Sequence, residues 1–248
     1  MDKVLLVTGG GRGIGAATAL LAAQRGWAVG INYATQAQAA QVLVARIREA
    51  GGTAVALQAD IAQEDQVLAM FERLGAQLGP IAGLVNNAGV VDVAARLDEM
   101  SLARWRRLFD VNVIGSMLCA REAVKRMSSR HGGTGGAIVN ISSASSRLGS
   151  PGQYIDYAAS KGAIDSFTLG LAREVAAEGI RVNAVRPGLI DTEIHASGGQ
   201  PDRARQVGPT SPIKRAGTAI EVAQAIVWLL SPEASYTTGA VLDVSGGR

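Results

Sequence analysis

Short apolar runs that favour strands alternate with longer helical patterns from one end of the chain to the other. The strand-forming runs are 4–7, 28–32, 54–58, 83–86, 137–141, 181–185 and 240–243. The helical patterns between them are 14–25, 36–49, 64–78, 101–127, 157–177 and 219–230. Several of the runs are apolar at nearly every position, as expected of strands that are covered on both faces. This alternation predicts an α/β protein built on a doubly wound parallel sheet.

The chain is long enough for one large α/β domain, and no linker or repeat divides it. It has 248 residues, of which 48% are hydrophobic, and this length suits a single domain with a substantial core. We therefore predict one Rossmann-type domain over residues 1–248. Residues 191–215 interrupt the alternation with three prolines. Because they follow the sixth strand, at the edge where doubly wound sheets bind ligands, they predict a substrate-loop insertion.

Charge and cysteine content argue against several classes of function. The 24 basic and 21 acidic residues give a net charge of +3, and the absence of like-charge runs argues against a nucleic-acid partner. No apolar stretch has the length of a membrane span and no secretory leader is visible, so we expect a cytoplasmic protein without a membrane partner. One cysteine and two histidines are too few for a disulfide or a structural zinc cluster, and no metal is expected.

A glycine cluster directly follows the first strand and opens the first helical pattern. Glycine is needed where a backbone turns sharply, approaches a pyrophosphate or packs a helix against its strand. The helix N-terminus then offers free amides and the positive end of its dipole to the phosphates. A tight turn without a ligand is the alternative reading. The strand–turn–helix context favours a dinucleotide held by Gly9, Gly11, Arg12, Gly13, Ile14 and Gly15.

The end of the second strand favours NADP over NAD. An NAD site usually carries an acidic residue there to hold the ribose 2′-hydroxyl, yet residues 3–48 contain no Asp or Glu. Arg12 instead places a guanidinium in the glycine turn, where it can meet a 2′-phosphate. An ordinary exposed turn residue is the alternative for Arg12. We expect Asn32, Tyr33 and Thr35 beside the same phosphate, and NAD stays the second candidate.

Tyr157 and Lys161 stand four residues apart in a helical pattern, so their side chains share one face. A free tyrosine has a pKa of about 10 and is a poor base at neutral pH. A neighbouring ammonium favours the phenolate and lowers this pKa. A tyrosine tuned in this way can exchange a proton with an alcohol or carbonyl oxygen. Together with the dinucleotide, the pair predicts an oxidoreductase.

These motifs occur in the order found in the single-domain short-chain dehydrogenases/reductases, which the chain resembles over essentially its whole length. The glycine cluster with Thr8 resembles the TGxxxGxG motif, residues 86–89 the NNAG motif, and Tyr157 with Lys161 the YxxxK pair. The resemblance implies four catalytic residues, Asn112, Ser143, Tyr157 and Lys161. It implies further cofactor contacts at Asp60, Ile61, Asn87, Ala88, Gly89, Tyr157, Lys161, Pro187, Gly188, Ile190 and Thr192.

The resemblance also implies a fold and an assembly. We expect a Rossmann-like sheet of seven parallel strands, in the order 3-2-1-4-5-6-7, with helices on both faces. The sequence is similar to those of bacterial glucose-dehydrogenase-like and 3-oxoacyl-reductase-like oxidoreductases. Since the family commonly forms tetramers, we expect a homotetramer built through residues 101–127, 157–177 and 240–243.

The mechanism that the resemblance implies is hydride transfer between NAD(P) and a carbonyl or secondary alcohol. Ser143 is expected to polarise the carbonyl and Tyr157 to act as the general acid/base. Lys161 is expected to lower the pKa of Tyr157 and bind the nicotinamide ribose, while Asn112 holds a water of the proton relay. A catalytically silent NADP-binding sensor of the same fold is the alternative function.

The substrate pocket is less constrained by the sequence. Ser142 and Ser143 are adjacent, so only one can face the cleft, and the family spacing favours Ser143. Expected pocket residues are Ser145, Arg147, Tyr154 and His195. Arg147 can meet an anionic substrate or be an exposed loop residue, and His195 can be a lid residue or a base. Small-molecule candidates are sugars, keto-esters, acyl thioesters and quinones.

Overall fold

The first strand is buried on both faces, since every residue from Val4 to Val7 is fully inaccessible to solvent. A computed structural model describes residues 3–248. The strands are β1 (Lys3–Val7), β2 (Trp27–Tyr33), β3 (Ala54–Gln58), β4 (Ile81–Asn86), β5 (Gly136–Ile141), β6 (Ile180–Pro187), β7 (Ile190–Asp191), β8 (Gly217–Thr218) and β9 (Val241–Val244). Seven of them form one parallel sheet in the order β3-β2-β1-β4-β5-β6-β9. The predicted strand order is confirmed, with β9 as its seventh strand.

Helices cover both faces of this sheet. They are α1 (Gly13–Gln24), α2 (Ala37–Glu49), α3 (Glu64–Leu78), α4 (Leu102–Phe109), α5 (Ser116–Met127), α6 (Ser145–Leu148), α7 (Ile155–Val175), α8 (Ile194–Ser197), α9 (Arg203–Val207) and α10 (Ala219–Leu230). One apolar core packs α1, α2 and α10 against the sheet, and a second packs α3, α5 and α7 against the opposite face. The carboxyl ends of β1, β4 and β5 therefore lie between the two layers of helices.

The predicted helix over 101–127 is interrupted in the structure. A π-helical segment, Asp110–Gly115, separates α4 from α5. Gly115 lies so close to Ile61 that a Cβ would stand 2.8 Å from its side chain, and Asn112 turns inward to the backbone of Val90. A regular hydrophobic period does not reveal such a bulge, which is a common device for placing one side chain at a site.

The predicted irregular loop at 191–215 has structure of its own. It contains α8 and α9, and its two ends meet where β7 pairs with β8 in a separate two-stranded sheet. The segment is therefore closed at its base, and its helices lie above the carboxyl edge of the main sheet. Among residues 3–248, no helix is both long and apolar enough to cross a membrane.

Candidate active site

A cleft of about 590 Å³ lies at the carboxyl edge of the main sheet. Its walls are the turn after β1, the ends of β2 to β6, the start of α7 and the segment that carries α8 and α9. All of the predicted site residues line this cleft except Gly15, Asn112 and Arg147. The structure thus brings together residues that are separated by almost two hundred positions in the sequence.

The glycine turn is hydrogen-bonded to amide side chains from other segments of the chain. Gly9 and Gly13 have φ angles of 58° and 53°, in the left-handed region that glycine adopts without strain. Asn87 Nδ2 donates to the carbonyls of Thr8 and Gly9 at 2.9 and 3.0 Å. Because the first amides of α1 have no carbonyl partner within the helix, the turn can bind an anion such as a phosphate.

Gly15 packs against the back of the turn and does not line the cleft. A Cβ at this position would lie 2.5 Å from Asn87 Nδ2 and 2.6 Å from the carbonyl of Gly9. Glycine is therefore required for close packing of α1 against the turn. At the opposite wall, the Thr192 side chain approaches Gly13 so closely that a Cβ there would be 3.3 Å away. Gly13 and Thr192 therefore face each other across the edge of the cleft.

The ribose end of the cleft is without an acidic residue at the end of β2, as predicted. Arg12 is exposed there, and within residues 3–248 no carboxylate lies within 4.0 Å of it. Tyr33 and Thr35 line the same end. Asp60 lines it too, with Oδ1 accepting from the amide of Ala62 at 3.0 Å.

Asn32 lies at this end, but its amide is already used. Its Nδ2 donates to the carbonyls of Leu57 and Ala59 at 3.2 and 3.0 Å, and its Oδ1 accepts from the amide of Gly9 at 3.1 Å. Both N–H donors are engaged in this structure, and the predicted place of Asn32 beside the cofactor stays a prediction. The side chain joins β2, β3 and the glycine turn, and this long-range network cannot be recognised from the local sequence.

The serine ambiguity is resolved just after β5. Both serines border the cleft, but Ser142 is buried and its hydroxyl already donates to the carbonyl of Lys161 at 3.2 Å. The Ser143 Oγ accepts from the amide of Ser145 at 3.1 Å, which fixes its orientation. Burial raises the pKa of Tyr157, and a hydrogen bond with the Ser143 hydroxyl partly opposes this shift. The hydroxyls of Ser143 and Tyr157 therefore face the same point.

Tyr157 and Lys161 lie on one face of α7, as their spacing predicts. The Lys161 ammonium is 5.6 Å from the centre of the Tyr157 ring and donates to the carbonyl of Ile141 at 2.7 Å. Burial is the largest influence on both groups: it raises the pKa of Tyr157 and lowers the pKa of Lys161 to about 8, with Asp165 opposing the second shift. The lowering of the tyrosine pKa expected from Lys161 is not seen in this structure.

Asn112 stands behind the cleft, in the π-helical segment. Its Nδ2 donates to the carbonyl of Val90 at 3.0 Å and to Ser160 Oγ at 3.2 Å, and its Oδ1 accepts from the amide of Val90 at 2.8 Å. Both amide donors are used, so any water that Asn112 holds must donate to one of its oxygens. The side chain ties the π segment to α7 and to the chain beyond β4.

An ion pair that sequence reasoning missed fixes the start of α7. Arg104 donates from Nε and Nη2 to Asp156, at 2.6 and 3.1 Å, and both side chains are nearly inaccessible to solvent. The Asp156 Oδ1 also accepts from the amide of Tyr157 at 2.9 Å. Neighbouring positions do not reveal this pair, because α4 and α7 meet only after folding.

The four predicted substrate-pocket residues divide into two groups. Ser145, Tyr154 and His195 line the cleft; Arg147 points away, within 3.3 Å of Asp243. His195 Nε2 contacts the carbonyl of Ile190 at 2.8 Å, and its pKa is lowered chiefly by burial. Arg203, which no sequence motif singles out, also lines the cleft.

The Rossmann-like sheet and a Ser–Tyr–Lys cluster beside a glycine turn together define a dinucleotide-dependent oxidoreductase. A family model described as enoyl-(acyl carrier protein) reductase matches residues 9–248. The chain belongs to the short-chain dehydrogenase/reductase family.

Its relatives extend over the full length of the chain. An "uncharacterized oxidoreductase YgfF" of Escherichia coli is 57% identical over 99% of both chains. A cis-4-hydroxycyclohexanecarboxylate dehydrogenase of Sinomonas cyclohexanicum is 40% identical over 99% of this chain and 96% of its own. A solved short-chain type dehydrogenase/reductase from Mycobacterium marinum has a TM-score of 0.92 at 35% identity, covering 99% and 94% of the two chains. Other relatives are named glucose 1-dehydrogenase and 3-oxoacyl-[acyl-carrier-protein] reductase, which confirms the resemblance drawn from the sequence.

Proposed function

We propose that the protein interconverts a carbonyl compound and a secondary alcohol with NADP(H) as the second substrate. The observation that carries this proposal is the convergence of Ser143, Tyr157 and Lys161 on a cleft that ends at an anion-binding glycine turn. A bound nicotinamide dinucleotide supplies or accepts the hydride. The chain itself has to orient the carbonyl and transfer one proton to its oxygen.

Each of the three side chains has a distinct task in carbonyl reduction. The Ser143 hydroxyl donates a hydrogen bond to the carbonyl oxygen and polarises it. Tyr157 donates its proton to the same oxygen as the carbonyl carbon receives the hydride, and alcohol oxidation reverses both transfers. Lys161, when protonated, stabilises the phenolate that remains on Tyr157. The charge of Lys161 is held where it acts by the hydrogen bond to Ile141.

The preference for NADP rests on charge at the ribose end. Arg12 is exposed at the cleft, and the described residues provide it with no carboxylate. A 2′-phosphate there gains a charge-assisted hydrogen bond that a 2′-hydroxyl does not. We expect Arg12→Gln to raise KM for NADPH by about tenfold and to leave KM for NADH unchanged. Equal effects on the two cofactors contradict the assignment.

A substrate screen tests the reaction itself. The relatives are named for substrates as different as glucose, a 3-oxoacyl carrier protein and a hydroxycyclohexanecarboxylate, so the panel should contain a ketone or alcohol of each class. It should include 4-oxocyclohexanecarboxylate and its methyl ester. NADPH and NADH oxidation are followed by absorbance at neutral pH. Tight NADPH binding without turnover of any compound would instead support the sensor alternative.

A homotetramer remains our proposal for the assembly. Apolar side chains are exposed at Phe109 on α4, Ile114 in the π segment, Met117 on α5 and Leu169 on α7. The π segment packs against α4, α5 and α7, and exposed apolar patches are typical of interfaces. We expect light scattering at micromolar concentration to give four times the chain mass of 25.5 kDa. A monomer under those conditions contradicts the proposal.

A further inference from the structure

The guanidinium of Arg203 stands at the cleft with only neutral partners. It donates to Gln200 Oε1 at 2.6 Å and to Gln153 Oε1 at 2.9 Å, and it lies 5.4 Å from the centre of the Tyr154 ring. Within residues 3–248 no carboxylate lies within 4.0 Å of it. Since a guanidinium has five N–H donors, these contacts hold the group in place while leaving donors for a ligand.

No acidic side chain of residues 3–248 forms an ion pair with this guanidinium. Arg107 also lines the cleft, but it is paired with Asp92. Glu193 reaches the other way, toward the glycine turn, where its Oε2 would be 3.6 Å from a Cβ on Gly13. Burial is the main cause of the lowered pKa of His195; Arg203 lowers this pKa further, and Asp191 opposes the shift. Arg203 is half-buried at the cleft and has no direct ion-pair partner among residues 3–248.

The cleft that Arg203 lines also has apolar walls. Val90, Val91, Leu148, Leu189 and Ile194 all line the cleft. A ligand that fits must present an apolar body to these residues and one anionic group to the guanidinium. A carboxylate satisfies the planar fork of an arginine with two parallel hydrogen bonds.

We propose that Arg203 binds a carboxylate of the substrate, so that the enzyme reduces keto acids with an apolar body or oxidises the corresponding hydroxy acids. This assignment rests on the proposed carbonyl–alcohol reaction and adds the substrate class to it. This role was one of two alternatives for Arg147, which is half-exposed and engaged by Asp243 and by the carbonyl of Arg248 at 3.0 Å. Arg203 is positioned to do it because Tyr154, beneath its guanidinium, immediately precedes the helix that carries Tyr157.

The test compares a keto acid with its neutral ester. We expect the wild-type protein to reduce 4-oxocyclohexanecarboxylate with a kcat/KM at least about tenfold above that for the methyl ester. Arg203→Gln should remove that preference by raising KM for the acid, with the ester unchanged. Arg205→Gln is the matched control, since Arg205 lies on the same helix, is exposed and pairs with Asp202 at 3.1 Å.

The ester also reports whether the Arg203→Gln protein is folded and competent. Equal reduction of acid and ester by the wild type, or an equal loss of both in Arg203→Gln, overturns the proposal. If the wild type reduces neither compound, the proposed reaction is wrong, and a binding measurement then tests the role of Arg203. Calorimetry with NADP⁺ present should then show that cyclohexanecarboxylate, which has no ketone, binds the wild type and Arg205→Gln but not Arg203→Gln. No binding to the wild type overturns the anion site.

Discussion

At the scale of single residues, burial dominates the chemistry of the candidate site. Lys161 is 4% exposed, and burial lowers its pKa to about 8 while raising the pKa of Tyr157. Both shifts favour the uncharged forms. At neutral pH Tyr157 thus keeps the proton that we propose it donates, and the ammonium of Lys161 is present but costs folding free energy.

That cost gives a pH-dependent prediction. The pKa of Lys161 falls from its ordinary 10.5 to about 8 in the folded protein, so between these values the unfolded chain binds the extra proton and stability rises with pH. We expect the free energy of unfolding of the wild type, relative to Lys161→Met, to rise by about 3 kcal/mol across this window. Urea unfolding at pH 7.5, 9 and 10.5 measures it.

Lys214→Met is the control for this series, because Lys214 is exposed. The difference in the free energy of unfolding between Lys214→Met and the wild type should stay nearly constant over the same pH range. A constant difference for Lys161→Met as well would show that the ammonium is not buried in the folded state.

At the scale of secondary-structure elements, two joints determine whether the site forms. The first is the packing of α1 on the glycine turn, which depends on Gly15. The second is the buried ion pair between α4 and α7, which places the residue before Tyr157. Neither joint lies at the proposed reacting atoms, but the first positions the anion-binding turn and the second positions the start of the helix that carries Tyr157.

Replacing Gly15 by alanine tests the first joint. The new Cβ would lie 2.6 Å from the carbonyl of Gly9, so the turn must shift at a cost of about 1–3 kcal/mol. We expect NADPH affinity to fall at least about tenfold, as measured by fluorescence titration. Gly75→Ala is the matched control: nothing lies within 4 Å of its Cβ position on α3, and alanine there should stabilise the protein by up to about 1 kcal/mol.

Replacing Arg104 by methionine tests the second joint. The buried carboxylate of Asp156 then loses its counter-charge, which typically costs about 3–5 kcal/mol. Adding Asp156→Asn should restore most of this stability because it removes the uncompensated charge. Arg106→Met, at an exposed position of the same helix, should change the urea midpoint very little. If Arg104→Met behaves like Arg106→Met, the pair does not hold α7.

The elements themselves could be predicted from the sequence because apolar periodicity is local. Val4–Val7 and the glycines after them identify the first strand and turn, and Tyr157 with Lys161 identifies the face of α7. Contacts between distant segments could not be predicted in this way. Asn32 joins two strands and a turn, Arg104 reaches Asp156 across two helices, and Arg203 reaches the cleft from a loop of similar polar residues.

At the scale of the whole molecule, the two apolar cores hold the glycine turn and the start of α7 on a single sheet edge. A ligand that spans the cleft contacts segments from both halves of the chain. Its binding free energy therefore adds to the stability of the whole folded protein.

NADPH should consequently raise the melting temperature. At one hundred times its dissociation constant, a ligand that binds only the folded state adds about 2.7 kcal/mol, which corresponds to a shift of about 5–10 °C for a protein of this length. Differential scanning fluorimetry measures the shift. We expect a smaller shift with NADH at the same concentration and with NADPH on Arg12→Gln. No shift with either cofactor argues against dinucleotide binding.

The most direct test of the central claim removes one hydroxyl group. Tyr157→Phe should lower kcat for carbonyl reduction by about 10²–10⁴-fold while NADPH binding stays near that of the wild type. Tyr154→Phe is the matched control: its ring stays beneath Arg203, and its turnover should remain close to that of the wild type. Retained turnover in Tyr157→Phe, or an equal loss in both variants, would contradict the assignment of Tyr157 as the proton donor.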